Sequence, residues 1–174
     1  MNEKKSLTTR ETFELAVRNH QKNNLQVAHN LYKEILKKNP NHFGSNFLLG
    51  TLSAQIKKFD IAKQLLQKAI QIQPDYADAH NNLGITLNEL GEFQKAISCY
   101  QKAIQIRPDY AYAYNNLGNA LKRLEEFQKA ADYYKKAIKI KPNYTDAHKN
   151  LMQIFEITNQ EKELKNAILN AQNL

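Results

Sequence analysis

The sequence predicts an all-α protein of about ten helices, arranged as a tandem of helix-turn-helix units. Three observations predict it. First, Pro40, Pro74, Pro108 and Pro142 stand 34 residues apart, and no proline falls elsewhere. Second, other series keep that step: Gly50, Gly84 and Gly118; Leu15, Leu49, Leu83, Leu117 and Leu151; Ala28, Ala62, Ala96 and Ala130; Tyr32, Leu66, Tyr100 and Tyr134. Residues 77–110 and 111–144 share 20 of their 34 positions. Third, apolar residues within each interval recur at helical spacing, not in the alternation of strands. A period of this length marks stacked supersecondary units that bury a core only against their neighbours.

The chain divides into a charged N-terminal tail, 1–8, and a repeat domain, 9–174. The first unit, 9–42, is atypical: Ala16 stands at the glycine place, and Thr12 at the place of the early aromatic. Terminal repeats depart from consensus because they cap the stack. The second unit, 43–76, has Gly50 and Pro74 in place. In the third, 77–110, Ala79, Leu83, Leu87 and Leu90 form one helical face. Gly91 supplies a left-handed stop. Phe93, Ala96, Ile97, Tyr100, Ala103 and Ile104 then form a second face, and Pro108 ends it. Small residues such as Gly84 and Ala96 allow the two helices to approach closely. The fourth unit, 111–144, repeats this design, with Glu125 and Glu126 in the turn. The fifth, 145–174, is partial: Met152 replaces the glycine, Leu164 the alanine, and the proline is missing. Its second helix would carry Leu164, Ile168 and Leu174, an apolar set that calls for a partner surface.

Composition narrows the class. Apolar residues are plentiful enough for a core. The opening MNEKKSLTTR has no apolar h-region, and no run approaches the roughly 18 apolar residues that span a bilayer. The expectation is a cytoplasmic protein without a membrane partner. A single cysteine, Cys99, excludes an internal disulfide and any multi-cysteine metal site. The net charge is +8, but Lys68, Lys95, Lys102, Lys129, Lys135, Lys136 and Lys139 fall at solvent spacing on second helices. No basic stripe is interleaved with aromatics, so a solvated face is expected and nucleic acid is not.

The pattern resembles the tetratricopeptide repeat. Tyr114, Leu117, Gly118, Leu121, Ala130, Tyr134, Ala137 and Pro142 fill the family's places in order. The resemblance implies a right-handed α-solenoid whose first helices line a concave groove and whose second helices lie mostly on the convex side. With 3.6 residues per turn, the side opposite Leu83 and Gly84 carries Asp78, Asn81, Asn82, Ile85 and Glu89. Its equivalents are Tyr112, Asn115, Asn116, Asn119 and Arg123, then Asp146, Lys149, Asn150, Gln153 and Ile157.

Asparagine recurs at Asn82, Asn116 and Asn150. Each amide offers a donor and an acceptor, which is what an extended peptide backbone needs. The groove is similar here to that of O-linked N-acetylglucosamine transferases, where asparagines at this place hold substrate backbone. The expected peptide-binding residues are Asn82, Asn116, Asn150, Asn81, Asn115, Tyr112, Asn119 and Arg123. The other open reading is that the asparagines only solvate the face or support the superhelix. Recognition of an acidic C-terminal chaperone tail is not expected, because Phe47 and Asn81 stand at lysine places and Asn116 at the arginine place. At the N-terminal end, Phe13, Val17, Phe47 and Leu48 fall on the groove stripe. Exposed, they would form an apolar binding or self-association patch; alternatively the tail with Leu7 covers them, or they join the core.

No catalytic constellation, metal site or cofactor motif is found. His80 and His148 stand two repeats apart at an aromatic packing place, roughly 20 Å at the usual 8–10 Å helix spacing, too far to share a metal. His20, His29 and His42 lack a metalloprotease spacing. The expected function is a non-catalytic scaffold that binds an extended peptide or partner protein in the groove. The alternatives are the substrate-recognition arm of a larger enzyme, such as a glycosyltransferase, and a repeat domain that self-associates into a homo-oligomer.

Overall fold

The computed structural model describes the backbone of residues 7–172; the side chains of residue 161 and of residues 163–172 lie outside the described set. Nine helices and no strand are found among the described residues: α1 (Thr9–Gln21), α2 (Leu25–Lys38), α3 (Phe43–Gln55), α4 (Phe59–Ile72), α5 (Ala77–Glu89), α6 (Phe93–Ile106), α7 (Ala111–Arg123), α8 (Phe127–Ile140) and α9 (Thr145–Gln172). First helices start at Thr9, Phe43, Ala77, Ala111 and Thr145, each 34 residues after the last. The chain forms two compact units, one ending at Leu90 and one starting at Gly91. In the first, α1 to α5 pack consecutively; in the second, α6 to α9 do.

Why the helices stop and restart is visible at the turns. Asn23, Lys57, Gly91 and Glu125 all have positive φ, at 60°, 59°, 75° and 60°. One left-handed residue per pair folds the chain back. Gly91 adopts it without steric cost, and asparagine, as at Asn23, tolerates it; Lys57 and Glu125 each lose about 1–2 kcal/mol relative to glycine. The residue two places on is apolar each time: Leu25, Phe59, Phe93 and Phe127. In the fifth repeat that place is Glu161, and the alanine place is Leu164. There α9 runs on for 28 residues with no turn. This is why nine helices are found where about ten were expected: the partial repeat has a charged residue, and not an apolar one, at the place that anchors a returning helix. The apolar set expected on that helix, Leu164, Ile168 and Leu174, lies outside the described side chains.

Small residues set the helix separation. Ala28, Ala62, Ala96 and Ala130 are wholly buried, as are Tyr32, Leu66 and Tyr134, and Tyr100 nearly so. A Cβ added at Gly118 would stand 2.5 Å from Cε1 of Tyr134, and one at Gly50 would stand 2.9 Å from Cγ of Leu66. No side chain fits at either place without moving its neighbour. The prolines have a second task. Their carbonyls accept a hydrogen bond from a side chain six residues on: Asn46 Nδ2 to Pro40 at 2.9 Å, His80 Nε2 to Pro74 at 2.7 Å, and His148 Nε2 to Pro142 at 2.8 Å. The two histidines thus close the inter-repeat turn, with the Nε2–H tautomer assigned from this bond.

At the N-terminus, Thr8 forms a capping box on α1: its Oγ1 accepts from Glu11 N at 3.2 Å, and Glu11 Oε2 accepts from Thr8 N at 2.8 Å. The Glu11 carboxyl is held below its ordinary range by the hydrogen bonds it accepts from the Thr8 backbone N–H and hydroxyl. No described helix is long and apolar enough to cross a membrane.

The strained turns generate a prediction. Lys57→Gly and Glu125→Gly relieve the left-handed penalty at residues that are exposed. Each is expected to raise unfolding free energy by about 0.5–1 kcal/mol, net of glycine's larger unfolded-state entropy, as measured by urea denaturation. A loss of stability would mean that those side chains contribute contacts outweighing the strain.

Candidate functional site

The first-helix stripe is built from side chains that brace one another. In the first unit Asn82 is half-buried, and its Nδ2 donates to Thr51 Oγ1 at 3.0 Å. Thr51 Oγ1 in turn donates to the carbonyl of Phe47 at 2.9 Å. In the second unit Asn150 Nδ2 donates to Asn119 Oδ1 at 3.1 Å and to Asn115 Oδ1 at 3.0 Å. Asn119 Oδ1 also accepts from the Tyr134 hydroxyl at 2.8 Å. Burial raises that phenol well above its ordinary pKa, so it stays a donor. Both Asn82 and Asn150 reach back 31 residues, from one first helix to the preceding one. The asparagines therefore occupy one register in each unit, with the amide orientation fixed by a neighbour.

The remaining residues expected at the site are placed as follows. Asn81 and Asn115, expected on the outward stripe, are buried at 5% and 4% exposure. One residue step turns a helix by 100°, enough to swing them off the stripe. Asn81 Nδ2 donates to Asn82 Oδ1 at 3.3 Å. Asn116 is half-buried and makes polar or electrostatic interactions of its own. Tyr112 is 48% exposed; its hydroxyl accepts from Lys141 Nζ at 2.7 Å. That ammonium also lies 4.6 Å from the Tyr112 ring centre and 5.2 Å from that of Tyr144. Arg123 places its guanidinium carbon 5.4 Å from the centre of the Phe93 ring, a cation–π distance.

The apolar end is knitted into packing. Phe13, Val17 and Leu48 lie against the cluster of Ala16, Ala28, Tyr32, Leu49 and Leu52. Phe13 meets His42 edge-on at 4.9 Å. Phe47 stacks on Phe43 at 6.0 Å and meets Tyr76 edge-on at 5.1 Å. None of the four is among the exposed large apolar side chains. Phe13 and Val17, with Glu14 and Arg18, line an open concavity of about 420 Å³.

Sequence reasoning missed a second concavity. A hollow of about 340 Å³ opens between α3 and α5, lined among others by Thr51, Gln55, Phe59, Asn82, Ile85 and Glu89. Ile85 is 38% exposed and Gln55 is held by His20 Nε2 at 3.2 Å. The signal was present: Phe59, Phe93 and Phe127 keep the 34-residue step immediately after the turn. Those rings read as core because they begin a second helix, but Phe59 is only half-buried.

The described residues contain no group of three or more His, Cys, Asp or Glu placed to hold a metal. Burial pushes the Cys99 thiol up to about 11, which keeps it protonated and poorly nucleophilic.

Comparison with known proteins places this architecture. The family model for the tetratricopeptide repeat matches residues 42–109 and 75–143. Among solved structures, a crystal structure of MamA protein is 28% identical, covers 94% of this chain and 89% of that one, and superposes with a TM-score of 0.80. A second crystal structure of MamA is 29% identical, with 87% and 96% covered and a TM-score of 0.77. MamA 41-end from Desulfovibrio magneticus RS-1 is 22% identical, with 79% and 77% covered and a TM-score of 0.74, a likeness of fold. No curated protein matches the chain.

The packing beside Phe13 has a pH consequence. His42 caps α3, its Nδ1 accepting from Ser45 N at 3.1 Å, which requires a neutral acceptor nitrogen. Burial lowers the His42 pKa from 6.5, and burial with Lys33 and Lys58 nearby lowers that of His29. A depressed folded-state pKa means the unfolded chain binds more protons, so this stability is present above pH 6.5 and lost as pH falls below it. The urea midpoint is expected to drop between about pH 7 and pH 5, and to drop less in His42→Asn, whose amide caps at either pH. An unchanged slope in His42→Asn would contradict the cap's role.

Proposed function

The chain belongs to the tetratricopeptide repeat family, and from that premise we propose that it is a protein-interaction scaffold holding an extended segment of a partner protein against the outward stripe of its first helices. The observation that carries this reading is the fixed orientation of the stripe amides. Asn82 spends one of its two N–H groups on Thr51 and retains the other; Asn150 spends its amide hydrogens on Asn115 and Asn119 and retains carbonyl lone pairs. An amide already held by a neighbour gives up little rotamer entropy when it grips a ligand, so binding is preorganised. Ile85 in the first unit and Tyr112 in the second each add exposed apolar surface on a first helix of their own unit.

The reading is non-catalytic. It is supported by the protonated state of Cys99 and by stripe chemistry consisting of amides, rings and isolated charges. It assigns specificity to what lies beside the amides, since an amide ladder reads backbone and little else.

Site-specific photo-crosslinking tests it. A benzophenone amino acid at Ile85 or Tyr112, in the native host, is expected to capture partner protein. The same group at Val27, which is 47% exposed on a second helix, is expected to capture none. Capture from Val27 alone would move the interaction off the first helices and overturn the reading.

A further inference from the structure

The two units treat one repeated place in opposite ways. In the second unit, Arg123 lays its own guanidinium over the Phe93 ring, 5.4 Å from its centre. Thirty-four residues earlier the same two places are Glu89 and Phe59. There the acid replaces the base, and Glu89 and Phe59 line the hollow of about 340 Å³. One repeat supplies its own cation to the ring; the other leaves the ring on the wall of a cavity with a carboxylate at the rim.

We propose that this hollow receives an arginine side chain of an extended partner segment, with the guanidinium over Phe59 and paired with Glu89. The inference rests on the scaffold reading and adds a side-chain specificity to it. The arrangement in the second unit shows that the local geometry accommodates a guanidinium on such a ring. The aliphatic stem of an arginine matches Ile85 and Ala54, and its planar fork suits both the ring face and the carboxylate. The polar wall is held ready: Thr51 is bonded to Asn82 and to Phe47, and Gln55 to His20. Lys57 also lines the hollow and opposes a cation. Its side chain is exposed and its ammonium solvated; Glu89 is exposed as well, so the preference for a guanidinium rests on contact with the half-buried Phe59 ring and on planar pairing with the carboxylate.

The test uses the full chain, ¹⁵N-labelled, and three capped pentapeptides, Ala-Ala-X-Ala-Ala, with X as arginine, citrulline or leucine. Backbone amide shifts at Thr51, Gln55 and Ile85 report the hollow; those at Asn116, Asn119 and Asn150 report the stripe elsewhere. The arginine peptide is expected to move the first set and to bind about tenfold more tightly than the citrulline peptide, about 1.4 kcal/mol. Glu89→Gln should remove most of that difference. Glu89→Arg, which reproduces the Arg123 arrangement, should abolish binding at the hollow while leaving the fold and the second set unchanged. Lys57→Ala should tighten it. Equal or tighter binding of the leucine peptide at the hollow would overturn the proposal and leave the scaffold reading standing. Shifts confined to the second set would do the same. Absence of shifts at both sets for all three peptides would overturn the proposal and count against the scaffold reading as well.

Discussion

The close approach of a second-helix side chain to a first-helix glycine is the constraint from which the rest follows. Tyr134 packs so tightly on Gly118 that a Cβ would stand 2.5 Å from its ring, and Leu66 packs on Gly50 with a corresponding 2.9 Å. Such contact fixes the rotation of α3 and of α7 about their axes. Rotation fixed on the inner side decides what points outward, because a helix repeats every 3.6 residues. Thr51 on α3, and Tyr112, Asn119 and Arg123 on α7, are aimed by residues on the opposite side of their own helices. The same tyrosine that packs on Gly118 also donates to Asn119, so core and stripe share an atom-to-atom link.

Much of this was legible in the sequence because the repeat makes every packing residue appear several times. The proline and glycine series mark turns and close contacts, and helix starts fall on the same 34-residue step. The left-handed turn residue was legible only at Gly91; at Lys57 and Glu125 the conformation is imposed by packing on either side against the residue's own preference. The uninterrupted α9 was foreshadowed by Glu161 and Leu164, but a missing apolar anchor is a weaker signal than a present one. At the site the helical wheel set Asn81 and Asn115 on the outward stripe, where the structure buries them. A wheel describes one helix, whereas the burial of Asn115 depends on the neighbouring first helix that brings Asn150 to it. Of the hollow beside Phe59 only the repeated ring was legible, at Phe59, Phe93 and Phe127; the cavity itself depends on what three segments fail to fill.

The asparagines that raised the question of binding prove to have two neighbours to serve. Asn82 and Asn150 bond first helix to first helix within their units, which is a structural task, and each keeps unused hydrogen-bonding capacity, which is what the proposed binding role requires. These roles are compatible, and they differ in what they cost when removed. A lost hydrogen bond between partly exposed side chains costs about 0.5–1.5 kcal/mol in stability. A lost grip on a ligand leaves stability alone and lowers affinity.

The direct measurement is therefore stability and affinity on one protein, the variant Asn82→Ala, using the partner segment captured from Ile85. The account predicts a stability loss of about 0.5–1.5 kcal/mol for the bond to Thr51, a retained fold, and an affinity lowered about tenfold or more. A comparable loss of stability with affinity unchanged would contradict it and leave the asparagines as struts between repeats.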